Sequence, residues 1–365
     1  MSIFRTKPAV FAVGDTYQIM IPVTAQTLMW VKVNDECYYD ESNGIMRSRV
    51  TVHRISVPME ELDRAGKYTV CWRKIIERKP YFTETEDECQ ESFNFYPVKG
   101  EEIRAYHIAD AHNYVTEPCN CAEKFQKEFG KLDFLILNGD IPDHSGKIEN
   151  FDNIYEIVSN ITNGNIPTVF SRGNHDTRGI FAENIADYTP NQNGNSYFTF
   201  KLGDIWGVVL DCGEDKDDSH PEYGHTVCCT YFRKKQTKFI EKIIENAKEN
   251  YTADVVKYKL VVVHNPFTER FNPPFNIEED IYSYWAKLLR ENVKPDVMIC
   301  GHKHSLEILE VGGEKDALGQ PCTVVVGSDL NRKENYYAGA GYIFKNGKIT
   351  AVFNDSEKIL LSKEI

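Results

Sequence analysis

The stretch FLILNGDIPDH, residues 134–144, places four apolar residues before a Gly-Asp pair and adds a second acid at Asp143. A short apolar run closed by glycine reads as a buried strand giving way to a loop, with Asp140 at the strand's exit. The same pattern recurs along the chain. Ile103–Ile108 leads into Asp110-Ala111-His112, Thr168–Phe170 into Gly173-Asn174-His175-Asp176, Leu260–Val263 into His264, and Val297–Cys300 into Gly301-His302-Lys303-His304. Five groups of ligand-type residues are thereby expected at one sheet edge, where open α/β sheets bind what they bind.

Around these motifs the sequence alternates buried strands with amphipathic helices. Glu149–Asn163 carries Ile154, Ile157, Val158 and Ile161 on one face, and Thr230–Asn250 carries Phe239, Ile240, Ile243 and Ile244. Gly203-Asp204 and Asn346-Gly347 mark two hairpins, Tyr197–Leu202 with Trp206–Asp211 and Tyr342–Lys345 with Lys348–Phe353. This describes a layered α/β (α+β) catalytic domain with mixed sheets, flanked by helices, over residues 100–365. Residues 1–99 read differently. Short alternating segments such as Tyr17–Ile21, Leu28–Val33 and Tyr68–Trp72 suggest an all-β immunoglobulin/fibronectin-III-like sandwich. In it Tyr68 is either the corner tyrosine that bonds back to its own backbone or an ordinary half-buried one.

The 365 residues suffice for two cores, and no apolar run approaches the length needed to cross a bilayer. The N-terminus shows no signal-peptide pattern, so the expected location is cytoplasmic, with no membrane association. Ten cysteines, diluted and irregularly spaced, are expected as free thiols; Cys119-Asn120-Cys121 and Cys228-Cys229 lack metal-site spacing. A net charge of −13 without a basic stretch argues against nucleic acid as partner or substrate.

A dinuclear site needs an anionic bridge and a balanced ligand set around each cation. Asp140 is the natural bridge. Asp110 with His112, and His302 with His304, are spaced two apart, which keeps each pair on one side. Asn174 supplies a neutral oxygen and His264 a ring nitrogen. Mixed Asp, Asn and His ligation without thiolate suits two divalent transition-metal ions, manganese, iron, zinc or nickel.

Taken in order, the five motifs resemble those of the calcineurin-like metallophosphoesterase superfamily. The resemblance implies a β-sandwich of two mixed sheets flanked by helices, with one metal held by Asp110, His112, Asp140 and His304. It implies a second metal on Asp140, Asn174, His264 and His302, with His175 as catalytic histidine and Asp176 as the acid that follows it. The preceding sandwich is similar to the N-terminal half of purple acid phosphatases. Those enzymes place a metal-bound tyrosine three positions after the bridging aspartate, where this chain has Asp143, and they lack a histidine at the position of His112. No purple charge-transfer band is therefore expected.

The expected activity is dinuclear-metal-dependent hydrolysis of a small or medium phosphomonoester by attack of a metal-bound hydroxide. A phosphodiesterase acting on a cyclic nucleotide or lipid headgroup would use the same ligands. A non-catalytic binding or scaffold protein is the rival from another class, with the sandwich as module for an unknown protein partner; every ligand position is nonetheless filled. Within the site His175 is the candidate for charge stabilisation and leaving-group protonation, with Asp176 orienting its ring or capping a helix. Asp143 is expected to hold a ligating histidine. Arg178 offers a fork to substrate or forms a surface ion pair. His144 and Asn113 border the mouth, as do His220 and His225, and Glu214–Asp218 reads as a solvated loop.

Overall fold

In the computed structural model, which describes residues 3–365, one mixed sheet of fifteen strands runs through the molecule. Along it lie Phe198–Leu202, Ile205–Val209, Tyr258–Val262, Val297–Cys300, Thr323–Asn331, Tyr336–Lys345, Glu102–Ile108, Phe134–Asn138 and Thr168–Ser171, in that order. Two blocks are parallel: Glu102–Ile108 with Phe134–Asn138 and Thr168–Ser171, and Ile205–Val209 with Tyr258–Val262 and Val297–Cys300.

Side-chain alternation folds these blocks onto each other. Ile103, Ala105, Phe134, Ile136 and Val169 from the first share one core with Ile205, Val209, Leu260, Val262, Val297 and Ile299 from the second. The intervening residues point outward to helices. Tyr106, Ile108, Leu135 and Leu137 meet the helices Thr116–Phe129 and Asp152–Thr162. Trp206, Val208, Val261, Met298 and Cys300 meet Cys229–Glu245 and Glu279–Leu288. At about 1.5–3 kcal/mol for each large apolar side chain fully buried, this period-two partition is what fixes the register. The parallel strands of both blocks end at the same edge, and Asn138 Nδ2 ties the blocks there by donating to Val263 O (3.2 Å) and Ile299 O (3.0 Å).

The N-terminal segment forms two facing layers. Ala9–Val13, Thr16–Pro22 and Val52–Pro58 oppose a second, five-stranded sheet ordered Cys89–Asn94, Lys67–Lys79, Thr27–Val33 and Glu36–Tyr39, with Phe82–Thr85 paired to Lys67–Lys79. A short helix, Met59–Ala65, lies between two of these strands. The first layer is continuous with the catalytic sheet, because Ala9–Val13 pairs in parallel with Thr168–Ser171 through Phe11 and Thr168. Residues of both segments also share one core. Tyr68 fits neither reading made from the sequence: it is buried, and its hydroxyl donates to Gly164 O (2.9 Å) in the other segment rather than to its own sandwich. All ten cysteines are free thiols, and among the described residues no helix is long and apolar enough to cross a membrane.

Candidate metal centre

Asp110, Asp140, His264 and His302 each sit two residues beyond the end of a parallel strand, and Asn174 sits three beyond. The backbone there is unusual. Asp110, His112, Asp140, His302 and His304 all have positive φ, between 44° and 72°. A left-handed residue with a side chain costs about 1–3 kcal/mol and persists where the surroundings impose it, commonly at functional sites. The turns close tightly: a Cβ on Gly173 would run into Asp140 Oδ1, and one on Gly301 would lie 2.8 Å from Asp110 Oδ2. Glycine is required at both positions by close approach rather than by composition.

The two carboxylates are deeply buried. Asp110 Oδ2 accepts from His302 N (2.8 Å) and from Ser328 Oγ, while Oδ1 has no hydrogen-bond partner. Facing that oxygen are His304 Nε2 at 3.5 Å and His264 Nε2 at 3.7 Å. Asp140 Oδ1 accepts from His175 N (2.8 Å), and Oδ2 lies 3.1 Å from His264 Nε2. His264 Nδ1 meets Asn138 O at 2.7 Å, which turns Nε2 toward the carboxylates. His112 Nε2 and His304 Nε2 face each other at 3.1 Å. His302 Nδ1 is 3.0 Å from the Asn174 amide. Turned with its nitrogen toward His302 and Asp140, the amide would instead accept from Arg178 Nη2 at 3.0 Å, whereas a cation on Asn174 needs the oxygen on the His302 side.

The electrostatics call for a cation. Burial pulls the His264 imidazolium down, yet Asp140 and Asp110 outweigh it and hold its pKa up to about 10. Burial pushes both carboxyls up, but His264 leads the groups that bring Asp110 down to about 2 and Asp140 well below the carboxylate range. Burial also holds His112 and His302 down to about 4, which keeps them neutral and able to ligate. The ligand atoms of Asp110, His112 and His304 lie within 4.8 Å of one another, as do those of Asp110, Asp140 and His264, and of His112, Asp140 and His175. Two buried carboxylates, an orphaned carboxylate oxygen and converging neutral imidazoles fit divalent cations.

The surrounding residues divide into those that reach the centre and those that do not. Asp143 does: its Oδ1 meets His112 Nδ1 at 3.0 Å, and its carbonyl oxygen meets His175 Nδ1 at 2.8 Å. The His175 ring packs edge-on to His112, and its Nε2 is 3.2 Å from Arg178 Nη1. Asp176 makes no hydrogen bond to that ring. Its carboxylate accepts from the backbone N–H of Asp140 (3.1 Å) and Gly173 (2.7 Å), so it braces the loop that carries Asp140. Burial and then Asp140 push its carboxyl up to about 7. Asn113 Oδ1 accepts from Asp143 N (3.1 Å), and His144 turns into its own loop, where Nδ1 accepts from Gly146 N (2.9 Å).

Arg178 forms neither an open fork nor a surface pair. Glu214 takes its Nε (3.1 Å) and Nη2 (3.1 Å), with Asp215 at 3.5 Å and Glu222 at 3.7 Å. Glu214, Asp215 and Lys216 are buried, so this part of the expected solvated loop is an inward-facing charge network. No local pattern warns of it, because an acidic run is legible as buried only once its cationic partners are placed. Ser328 and Arg332, which reaches Asp143 Oδ1, were also invisible: they arrive from Thr323–Asn331 and the turn after it, which carry no motif.

Residues 103–306 match the calcineurin-like phosphoesterase family. Among solved structures the chain is similar to the purple acid phosphatase PPD1 from yellow lupin (Lupinus luteus) seeds, at 13% identity and a TM-score of 0.61, over 99% of this chain and 73% of that one. It is more distantly similar to GAP50 of Plasmodium (13%, 0.45, 73% and 89%) and to TT1561 of Thermus thermophilus (12%, 0.43, 70% and 99%). At these identities the likeness is one of fold. No curated protein matches the chain in sequence. The family match spans more than half of the chain and contains every motif from Asp110 to His304: the chain belongs to the calcineurin-like phosphoesterase family, as a metal-dependent phosphoric ester hydrolase.

Proposed function

We propose that the protein hydrolyses small or medium phosphomonoesters at a dinuclear centre. One cation would be held by Asp110, His112, Asp140 and His304, the other by Asp140, Asn174, His264 and His302. The observation that carries this reading is the meeting of two buried carboxylates with four histidines and the Asn174 amide at one strand edge. Two bound divalent cations supply a water acidified to near neutrality and screen the charge of the phosphoryl oxygens. Manganese, iron, zinc and nickel all suit the donor set.

The chain's own residues do the rest. His175, with Nδ1 fixed on the Asp143 carbonyl, presents Nε2 beside Arg178. From there it stabilises charge on the phosphoryl group and delivers a proton to the departing alkoxide. Asp143 positions both His112 and His175, and Asp176 keeps the Asp140 turn closed. Residues 1–99 act as an immunoglobulin/fibronectin-III-like support for the catalytic segment 100–365. The two facing layers, which share a core with the catalytic segment, and the Tyr68 bond to Gly164 favour that role. A hydrolysis screen of a metal-defined sample against aryl monoesters, diesters and phosphometabolites tests the function. Preference for monoesters supports it, and turnover of diesters alone would replace it by a diesterase.

A further inference from the structure

Basic side chains around the centre are almost all neutralised. Arg172 pairs with Asp211 (2.7 Å), and Arg178 is held by Glu214, Asp215 and Glu222. Lys216 pairs with Asp215 and Glu222, and Lys303 with Glu269 and Glu307. Arg332 differs from these. It is 51% exposed, and among the described residues its one carboxylate partner is Asp143, which is itself 31% exposed and already engaged by His112 Nδ1. Asp143 also holds His175 through its carbonyl, so Arg332 stands one residue away from both a proposed ligand and the proposed proton donor. It follows directly on the strand whose Ser328 hydroxyl meets Asp110, which sets it at the same edge.

Granting the phosphatase reading above, we propose that Arg332 is the substrate-binding residue that takes up the phosphate charge and selects monoesters over diesters. A guanidinium gains from two hydrogen bonds to equatorial phosphate oxygens, and it can leave Asp143 without stranding that carboxylate, because His112 remains on it. A monoester, with a second ionisation near pH 6, is largely dianionic at neutral pH, whereas a diester carries one charge and offers one fewer free oxygen. Arg178, closer to His175 but tied to three carboxylates, has no net charge to offer.

The test compares wild type, Arg332→Ala and Arg332→Lys for turnover of p-nitrophenyl phosphate and bis(p-nitrophenyl) phosphate, inorganic phosphate binding and metal content. For Arg332→Ala, the monoester kcat/KM should fall about tenfold or more, mainly through KM, and the diester value by less than about threefold. Phosphate binding to the metal-loaded protein should weaken about tenfold, metal content should stay the same, and Arg332→Lys should recover part of the loss. Equal losses on both esters, unchanged phosphate binding, or loss of metal from the alanine variant would overturn the proposal; the last would make Arg332 a positioning residue for Asp143. If the wild type turned over neither ester, the phosphatase reading would fail by itself, and phosphate binding would still decide whether Arg332 takes up that anion.

Discussion

The molecule buries aspartate beside histidine in two places, and the two are built differently. In the N-terminal layers, Asp40 Oδ2 meets His53 Nδ1 at 2.7 Å; both are buried, and His53 lies in the regular strand Val52–Pro58. One carboxylate there faces one imidazole, with Arg47 at 3.7 Å from its other oxygen. At the strand edge, Asp110 and Asp140 converge on shared imidazoles, one carboxylate oxygen has no hydrogen bond, and five residues hold left-handed backbone. A pair of one carboxylate and one imidazole in regular backbone supports the fold, even though His53 Nε2 is left without a partner. Unmatched carboxylates on strained backbone are kept for a bound cation.

The sharpest way to break this contrast is at Asp140. On the proposed dinuclear centre, Asp140→Asn should lower bound metal from about two equivalents to about one or none, and turnover by roughly 10³ or more, because a bridging negative charge would be needed for two cations to sit close together. Retention of both metals by elemental analysis would remove Asp140 from the bridge. His175→Ala should keep the metals while lowering kcat by roughly 10²–10⁴. The loss should be smaller for aryl than for alkyl esters, since good leaving groups need little acid; equal losses would assign His175 to charge stabilisation alone.

At the matched pair the expectation reverses. Asp40→Ala should cost about 1–3 kcal/mol in denaturant unfolding, because it leaves a buried imidazole N–H without an acceptor. Turnover per folded molecule should not change, and a drop in kcat would couple this pair to the site. A further effect concerns protons. In metal-free protein Asp140 and Asp110 outweigh burial and keep His264 protonated up to about pH 10. A cation that takes Nε2 must therefore expel that proton, and apparent affinity should rise between pH 7 and 9 by about tenfold per unit for each proton released. Calorimetry in buffers of different ionisation enthalpy reads that number, and zero would show that His264 carries no proton for the cation to displace.

Much of the centre was legible because its residues follow apolar runs. The strands at Glu102–Ile108, Phe134–Asn138, Thr168–Ser171, Tyr258–Val262 and Val297–Cys300 all lie where those runs predict them. Their common edge follows from parallel pairing. Contacts that depend on tertiary placement were not legible. Nothing in Asp176 indicates that its carboxylate serves backbone N–H groups instead of the neighbouring His175 ring. Nor does the composition of Glu214–Lys216 indicate burial. The continuity of Ala9–Val13 with Thr168–Ser171 rests on a parallel pairing between segments more than 150 residues apart, beyond the reach of local periodicity.

Whether the strand-edge carboxylates hold metal for catalysis is tested most directly by measuring metal and activity in one sample. Chelation should remove close to two equivalents together with hydrolysis of an aryl phosphate, and restoring divalent metal should return both. Protein shown by elemental analysis to be free of metal, yet hydrolysing the ester at an undiminished rate, would contradict that role.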